Sequence, residues 1–529
     1  MTQINMNNTF LELTMHVSIK YLVPALALLS GGAMTATESG GPIGPRALGM
    51  GGAQVACSVG IEAQYYNPAT FAFMGRCNGN DDDDPDKRSV DNAHLTRKRF
   101  GITPIDLQVG VTLTGELGEM ARDLADIDYE GLGTNSELGD EDIEDLLVLA
   151  SSLSRIDDPN NNLFIDINLG AGVRWGSLAF GARAFGHAVA RVDELDRINL
   201  GLNYDSREDL NDWLNDLAAA ADITPGGSYT QLNPDQQTAI ADALGTTPDA
   251  ASVLYVDSQL NELITTGAIT MAEVDETLAL LIAGFEATDG DESNNLDNNR
   301  TSILLRGLAV AEVPVSYGVA LNDRLAIGVT GRFLLGRVYG STVLVFDDDN
   351  DEVIENIKEQ YEESMTWGID VGLLYRMPSL QIGITGRNLN RPRFDGFSFD
   401  DAGLTYAVDD IHLDPQVTVG VAWIPHPTLT VAADIDLLET DGLLPNFGHQ
   451  YVRCGLEWDA FRFLALRAGA YRNIALDDPP TVVTAGLGFN FYLVRIDLAA
   501  AAAIDDRVSY RGTKYPQTAR VGLGVSIDF

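Results

Sequence analysis

The chain has 529 residues, enough for a large core or several domains, and its 77 acidic against 34 basic side chains give a formal net charge of −43. That balance excludes nucleic acid as a partner, because phosphate binding needs basic surface. It also keeps exposed loops soluble and mutually repelling. A mean hydropathy of −0.01 speaks against a helical membrane protein.

The N-terminus has the order of an export signal. Lys20 is followed by YLVPALALLSGGAMTA, an apolar core ending in small residues, with cleavage near Ala33 or Ala36. The apolar run is shorter than the ~20 residues a spanning helix needs, so residues 1–36 are expected to be a signal peptide rather than an anchor. The residues before Met15 add nothing to it, and the start is Met1 or Met15. A cysteine at the cleavage site, as a lipoprotein requires, is absent.

Next comes GPRALGMGGAQVACSVGIEAQYYNPATFAFM, Gly44 to Met74. It is too apolar for a linker and too glycine-rich for a good helix. The aspartates Asp81 to Asp84 follow. Of three cysteines, Cys57 and Cys77 form a pair in an oxidising compartment or remain buried thiols, and both readings stand open.

From Phe100 onward the dominant period is two. In TLTVAADIDLL, Leu429, Val431, Ala433, Ile435 and Leu437 share one face, and Thr428, Thr430, Ala432, Asp434 and Asp436 share the other. Alternate side chains of a strand point to opposite faces. About fourteen such segments are expected near 101–117, 162–175, 177–191, 301–320, 323–345, 361–377, 379–389, 412–425, 427–438, 448–459, 461–474, 480–492, 493–504 and 516–529. Most reach the ~9–11 residues of a tilted membrane-spanning strand.

The connections alternate in length. Long ones at 118–161, 192–300, 346–360, 390–411, 439–447 and 505–515 alternate with short ones such as Trp175-Gly176, Asn322-Asp323 and Pro378-Ser379; that at 475–479 is of middling length. Outer-membrane barrels have short periplasmic turns and longer outer loops. In the last strand, RVGLGVSIDF, the terminal Phe529 shares a face with Val521, Leu523, Val525 and Ile527, and it is similar to the C-terminal insertion signal read by the outer-membrane assembly machinery. The opposite faces carry Asp166, Arg387, Asp434, Asp436 and Asp528, tolerated at spanning depth when they face a lumen. Trp175, Trp423 and Tyr492 lie where an interfacial girdle would.

Two insertions break the strand pattern. EDIEDLLVLASSL, within 118–161, and four amphipathic segments between 205 and 288, within 192–300, are expected to be helical. They form either a cap over the barrel mouth or helices that only pack on one another.

A fourteen-stranded lumen is wider than side chains alone fill. Gly44–Met74 precedes the first strand on the periplasmic side. Gly49, Gly51 and Gly52 allow tight turns and close approach to a wall, and Pro68 restricts Asn67. The segment is therefore expected to be a hatch inside the barrel. The expected fold is all-β: a transmembrane antiparallel barrel with an N-terminal hatch and helical insertions in outer loops. Residues 37–99 would form the hatch and an acidic linker, and 100–529 the barrel. Arg46 is expected to pair with a lumen carboxylate such as Asp434 or Asp436, as a latch or as a plain structural ion pair.

RALGMGGAQVA followed by EAQYYNPATFA resembles the hatch of the FadL-like family of outer-membrane barrels, a group that includes PorV-type proteins and the branch labelled conjugal transfer protein TraF. TGRNLNRPRF (385–394), ADIDLL (433–438) and LALRAGAYRNIAL (464–476) resemble the TraF-labelled branch. The likeness runs from about Gly41 to Phe529 and implies a fourteen-stranded barrel with a plug. It also implies passive transport of a hydrophobic or amphipathic small molecule from outer-membrane surroundings, with Arg46, Gly49, Gly51, Gly52, Asn67 and Pro68 in gating. A second implication, from PorV-type relatives, is a scaffold in protein secretion, conjugation or surface assembly whose partner is a secreted or surface protein. The long insertion at 192–300 departs from the family pattern. The Cys-x-x-Cys of the thioredoxin-like plasmid protein that lent the TraF name is absent.

Enzyme chemistry is not expected. The six histidines are dispersed, and no Gly-x-Ser-x-Gly, P-loop or zinc spacing occurs. NDDDDPDK (80–87) and FDDDNDEV (346–353) lack the glycine and closing glutamate of a calcium loop, so solvated acidic loops are expected and no cofactor or metal.

Overall fold

The computed structural model describes residues 41–74, 98–114, 142–156, 162–202, 204, 206–288, 296–346, 360–401, 404–443, 447–461, 463–476, 479–505, 507–510 and 513–529. The signal peptide, the choice of Met1 or Met15, Cys77 with its pairing, and the acidic runs at 80–87 and 347–353 lie outside the described residues.

Fourteen strands close into one antiparallel barrel. They are β1 Phe100–Leu113, β2 Leu163–Trp175, β3 Leu178–Glu194, β4 Ser302–Ala320, β5 Leu325–Leu344, β6 Tyr361–Arg376 and β7 Leu380–Arg387. The second half comprises β8 Gln416–His426, β9 Leu429–Asp436, β10 Tyr451–Asp459, β11 Leu464–Asn473, β12 Val482–Phe491, β13 Val494–Ala503 and β14 Thr518–Asp528. Each pairs with its neighbour in sequence, and β1 also pairs with β14 from Gly101↔Asp528 to Thr112↔Thr518. At that seam the Phe529 N–H donates to the Phe100 carbonyl at 2.7 Å, and the two rings lie 5.9 Å apart.

The period of two sorts the wall as expected. In β9, Thr430, Ala432, Asp434 and Asp436 are buried while Ala433 and Ile435 face outward. In β4, Val313, Val315, Tyr317 and Val319 are exposed and Glu312 and Ser316 buried. Trp175, Tyr375, Trp423, Trp458, Phe461, Phe463, Phe491 and Tyr492 are exposed around the short-turn end. Phe333 and Trp367, register partners on β5 and β6, are exposed at the other margin. A closed, even-stranded antiparallel barrel with an apolar outer belt between aromatic girdles is an outer-membrane barrel. No described helix is long and apolar enough to cross a membrane.

Strand ends differ from expectation where local chemistry intervenes. β8 begins at Gln416 rather than 412 because Pro415 cannot donate to a ladder. Beyond β7, Asn388 and Arg391 take positive φ of 52° and 50° and turn the chain. The loop that follows was expected only as a long connection at 390–411. It contains two short antiparallel pairs, Phe397–Asp401 with Leu404–Val408 and Arg393–Phe394 with Ile411–His412. The outer connection after β13 likewise pairs Arg507–Tyr510 with Thr513–Pro516.

The two insertions fold together. Helices at Asp142–Ile156, Arg207–Ala220, Pro234–Ala243, Ala251–Thr266 and Val274–Ala287 share one core. Ile143, Leu146 and Leu153 from the first insertion pack with Leu214, Leu260, Leu281 and Phe285 from the second. Ser206 and Asn233 cap two of the helices, and the buried Asp257 carboxylate accepts N–H groups of Thr230, Gln231 and Leu232 at 2.7–2.8 Å.

Candidate functional site

Residues 41–74 pack against the inner face of the wall and are almost all buried. Short helices at Pro45–Gly49 (α1) and Ala63–Tyr66 (α2) and a 3₁₀ turn at Pro68–Phe73 carry the segment. Its first half lies on β10–β14 and its last turn on β4–β6.

The main chain comes this close because the facing wall positions are glycines. A Cβ on Gly328 would lie 2.2 Å from the Pro68 carbonyl carbon, and one on Gly455 2.1 Å from the Met50 oxygen. On Gly383 it would lie 2.4 Å from the Val55 oxygen. The segment answers in kind. Gly51 and Gly52 have φ of 62° and 83°, and a Cβ on Gly49 would lie 3.0 Å from the Gly486 Cα, a tight contact. The Thr484 hydroxyl accepts the Gly51 N–H at 3.0 Å and donates to the Gly49 carbonyl at 3.1 Å.

Arg46 is fully buried, and its partner is Glu457 on β10 rather than the expected Asp434 or Asp436. Its Nε and Nη2 donate to the two Glu457 oxygens at 3.0 Å each. Nη1 donates to Gln54 and to the Cys57 carbonyl. Glu457 also pairs with Arg467 at 2.6 Å, and Asp497 pairs with Arg467 and Arg495 at 2.8 Å. Asp434 serves the segment differently: its Oδ2 accepts the N–H groups of Gln54 and Val55 at 2.7 and 2.9 Å. Asp436 holds Arg453 in a two-armed pair at 2.8 Å. Asp166 pairs with Arg520, Asp528 with Arg174 at 3.3 Å, and Arg387 lines two small cavities, one of them beside the segment.

Asn67 ties the second half down. Its side chain accepts the Ala69 N–H at 3.0 Å and donates to the carbonyls of Val55 and Leu373 at 2.9 and 3.0 Å. Its extended backbone suits the residue before Pro68. Near the short-turn end, Glu62, Arg46, Asp106, Arg174, Arg495 and Asp497 line a polar cavity of about 50 Å³. Burial, reinforced by the charge of Asp106, pushes the Glu62 carboxyl from its ordinary 4.5 up to about 8. Burial likewise raises the Cys57 thiol to about 12.

The outer half of the lumen is apolar. Phe394 stacks on inward-facing Gly336, and Val408 on Gly340, so the loop after β7 folds into the barrel. Phe164, Phe185, Leu308, Leu334, Phe394, Phe399 and Ile411 form one buried cluster there.

Every expected lumen residue lies on an inner face, and Arg46, Gly49, Gly51, Gly52, Asn67 and Pro68 all contact the wall. Glu457, Arg467, Arg495, Thr484 and the wall glycines were not singled out from sequence. For Glu457, Thr484, Arg467 and Arg495 the inward register in YVRCGLEWD, TVVTAGLGFNF, LALRAGAYRN and VRIDLAAAAA was the available signal.

Two outcomes are expected. Gly455→Val, which drives side-chain atoms into the Met50 main chain, displaces the segment and exposes Cys57. Alkylation of Cys57 should then accelerate at least tenfold in otherwise intact barrel. Glu457→Ala leaves buried Arg46 and Arg467 short of a counter-charge and should lower stability by about 3–5 kcal/mol in chemical denaturation.

No curated protein matches the chain in sequence. Among solved structures, the chain is similar to the Ralstonia pickettii toluene transporter TbuX at 14% identity, covering 92% of this chain and 98% of that one, with a TM-score of 0.43. It is similar to a Pseudomonas aeruginosa FadL homologue at 8% identity, 94% and 100% coverage and a TM-score of 0.44. For the P. putida toluene transporter TodX the figures are 13%, 93%, 99% and 0.40. The family described as "F plasmid transfer operon, TraF, protein" matches residues 64–436, from α2 through β9, and the chain belongs to that family.

Proposed function

We propose that the protein carries hydrophobic or amphipathic small molecules passively across the outer membrane, and that Arg46–Met74 is the hatch that gates the path. The apolar outer lumen carries this reading. Barrel interiors that conduct polar solutes are themselves polar, whereas here Phe164, Phe185, Phe394 and Phe399 line the way in. A ligand that replaces the Phe394 and Phe399 contacts gains the same apolar burial that holds the loop in place. Below it, the hatch is held by polar contacts and close main-chain packing at discrete points, an arrangement suited to release as a unit. Gly49, Gly51 and Gly52 give it the backbone freedom to move, and Asn67-Pro68 anchors the turn. Phe529, at the seam of β1 and β14, acts as the insertion signal. A docking role for the helical insertions gains no support from their surface: between Arg207 and Ala287 the large apolar side chain exposed among the described residues is Met271.

The test is uptake into liposomes by the refolded barrel, comparing a labelled long-chain fatty acid with a small polar sugar. Fatty acid should enter with the intact protein, and sugar should leak only after deletion of Gly44–Met74. If neither solute crosses the intact barrel, the transport reading fails.

The hatch should also respond to pH. Glu62 is harder to ionise when docked than when free, so docking takes up a proton. Docking is strongest below pH 4.5, weakens as pH rises toward about 8, and changes no further above that. Asp106 and Asp497 face Glu62 and oppose its charge, while Arg46 and Arg495 favour it. Sugar leakage should therefore rise across that window, and Glu62→Gln should flatten the rise.

A further inference from the structure

Six rings run in series from His187 in the wall, by way of Phe447 on an outer loop, to the hatch. His187 lies 5.5 Å from Phe164, and Phe164 lies 4.7 Å from Phe447. Phe447 is 5.8 Å from His449, His449 stacks 6.1 Å from Tyr451, and Tyr451 is 6.0 Å from Tyr471. Tyr471 packs against Leu48 of the hatch. The series thus joins the mouth to the gate.

The histidines in it are incompletely used. His187 is 4% exposed and His449 6%. Neither ring nitrogen of His187 has a protein hydrogen-bond partner, nor has Nδ1 of His449. Buried polar atoms left unpaired are costly, and interiors rarely keep them without a guest. A neutral imidazole offers one donor and one acceptor, which a single hydroxyl group matches by accepting from one ring and donating to another. The surroundings disfavour an anion. Arg520 is matched by Asp166 and Arg453 by Asp436, and Arg387, which lines the cavity beside His449, faces the same Asp436, so each of these cations already has a carboxylate. The flanking Phe164, Phe447 and Tyr451 rings supply faces on which a flat ring stacks.

We infer that the His187–Phe164–Phe447–His449 cluster is a binding subsite for a neutral, monohydroxylated aromatic small molecule, its ring stacked on Phe164 where Phe447 now lies and its hydroxyl between the histidines. The cavity beside His449 and Tyr451 is about 20 Å³, room for about one water molecule, and its lining does not reach His187, Phe164 or Phe447. A guest ring therefore takes the place of Phe447, which rides on the outer loop closed by the Thr440↔His449 bridge. The inference rests on the transport reading and names the class of cargo.

The experiment measures binding of p-cresol, toluene and benzoate to the purified full-length barrel by calorimetry, alongside toluene uptake into liposomes. p-Cresol should bind at least tenfold more tightly than toluene, with benzoate the weakest. The double variant His187→Phe/His449→Phe keeps the rings and removes the nitrogens. It should bring p-cresol and toluene within about twofold of each other and leave toluene binding unchanged. If that variant does not fold, His449→Phe alone, outside the barrel strands, is held to the same loss of preference. Equal binding of p-cresol and toluene by the unaltered protein, or a preference that survives the variants, means that the nitrogens are satisfied by water only and overturns the inference. Toluene uptake without a p-cresol preference sinks this inference and leaves transport standing, whereas no uptake of any apolar probe sinks the transport reading itself.

Discussion

Contact between two main chains is the constraint on which the rest of this structure depends. A lumen bounded by fourteen strands can be filled by a folded segment only if that segment reaches the wall closely enough to leave no voids. Here the approach is so close that Gly328, Gly372, Gly383, Gly455 and Gly469 have no space for a β-carbon. Glycine costs a strand conformational entropy and side-chain packing. The wall accepts that cost along the track where residues 50–69 lie, and the segment becomes part of the interior that the strands would otherwise lack.

Charge is distributed with a matching logic. The chain as a whole is strongly acidic, yet arginines gather inside: Arg46, Arg174, Arg183, Arg332, Arg453, Arg467, Arg495 and Arg520 are all buried and all paired with carboxylates. The planar, many-donor guanidinium suits such sites, because one Arg can bind carboxylates on two strands, as Arg332 does with Glu312 and Asp370. Removing one partner is far costlier than the pair is stabilising. The strength of the Arg46–Glu457 contact therefore depends on neighbours Arg467 and Arg495 as much as on its own geometry.

The barrel itself was legible because a two-sided wall imposes a period of two that nothing else in the chain imitates. The inner position of Asp166, Asp434 and Asp436 followed from register alone. What the residues did not disclose is pairing at distance. Arg46 meets Glu457 across 411 positions, and no local pattern selects that carboxylate over Asp434, which is spent on the Gln54 and Val55 amides. The infolded loop was missed for the same reason: Phe394 is held by the absence of a side chain at Gly336, and a glycine on an alternating strand carries no mark of what will occupy its space. The orphaned nitrogens of His187 and His449 emerged only once the surrounding groups were in place.

The unequal strand lengths bear on where the mouth opens. On β4 the outward apolar run begins at Val313, and on β5 it ends at Phe333, level with Trp367. Yet β5 continues to Leu344. At about 3.3 Å per residue and a tilt near 40°, that extension raises the rim by roughly 25–30 Å beyond the aromatic girdle. β7 and β9, at eight residues each, stop near the bilayer surface. The rim is therefore slanted like a cut quill. Its tall side carries the helical body clear of the lipid headgroups, so that a solute arriving from outside meets protein well before it meets the membrane.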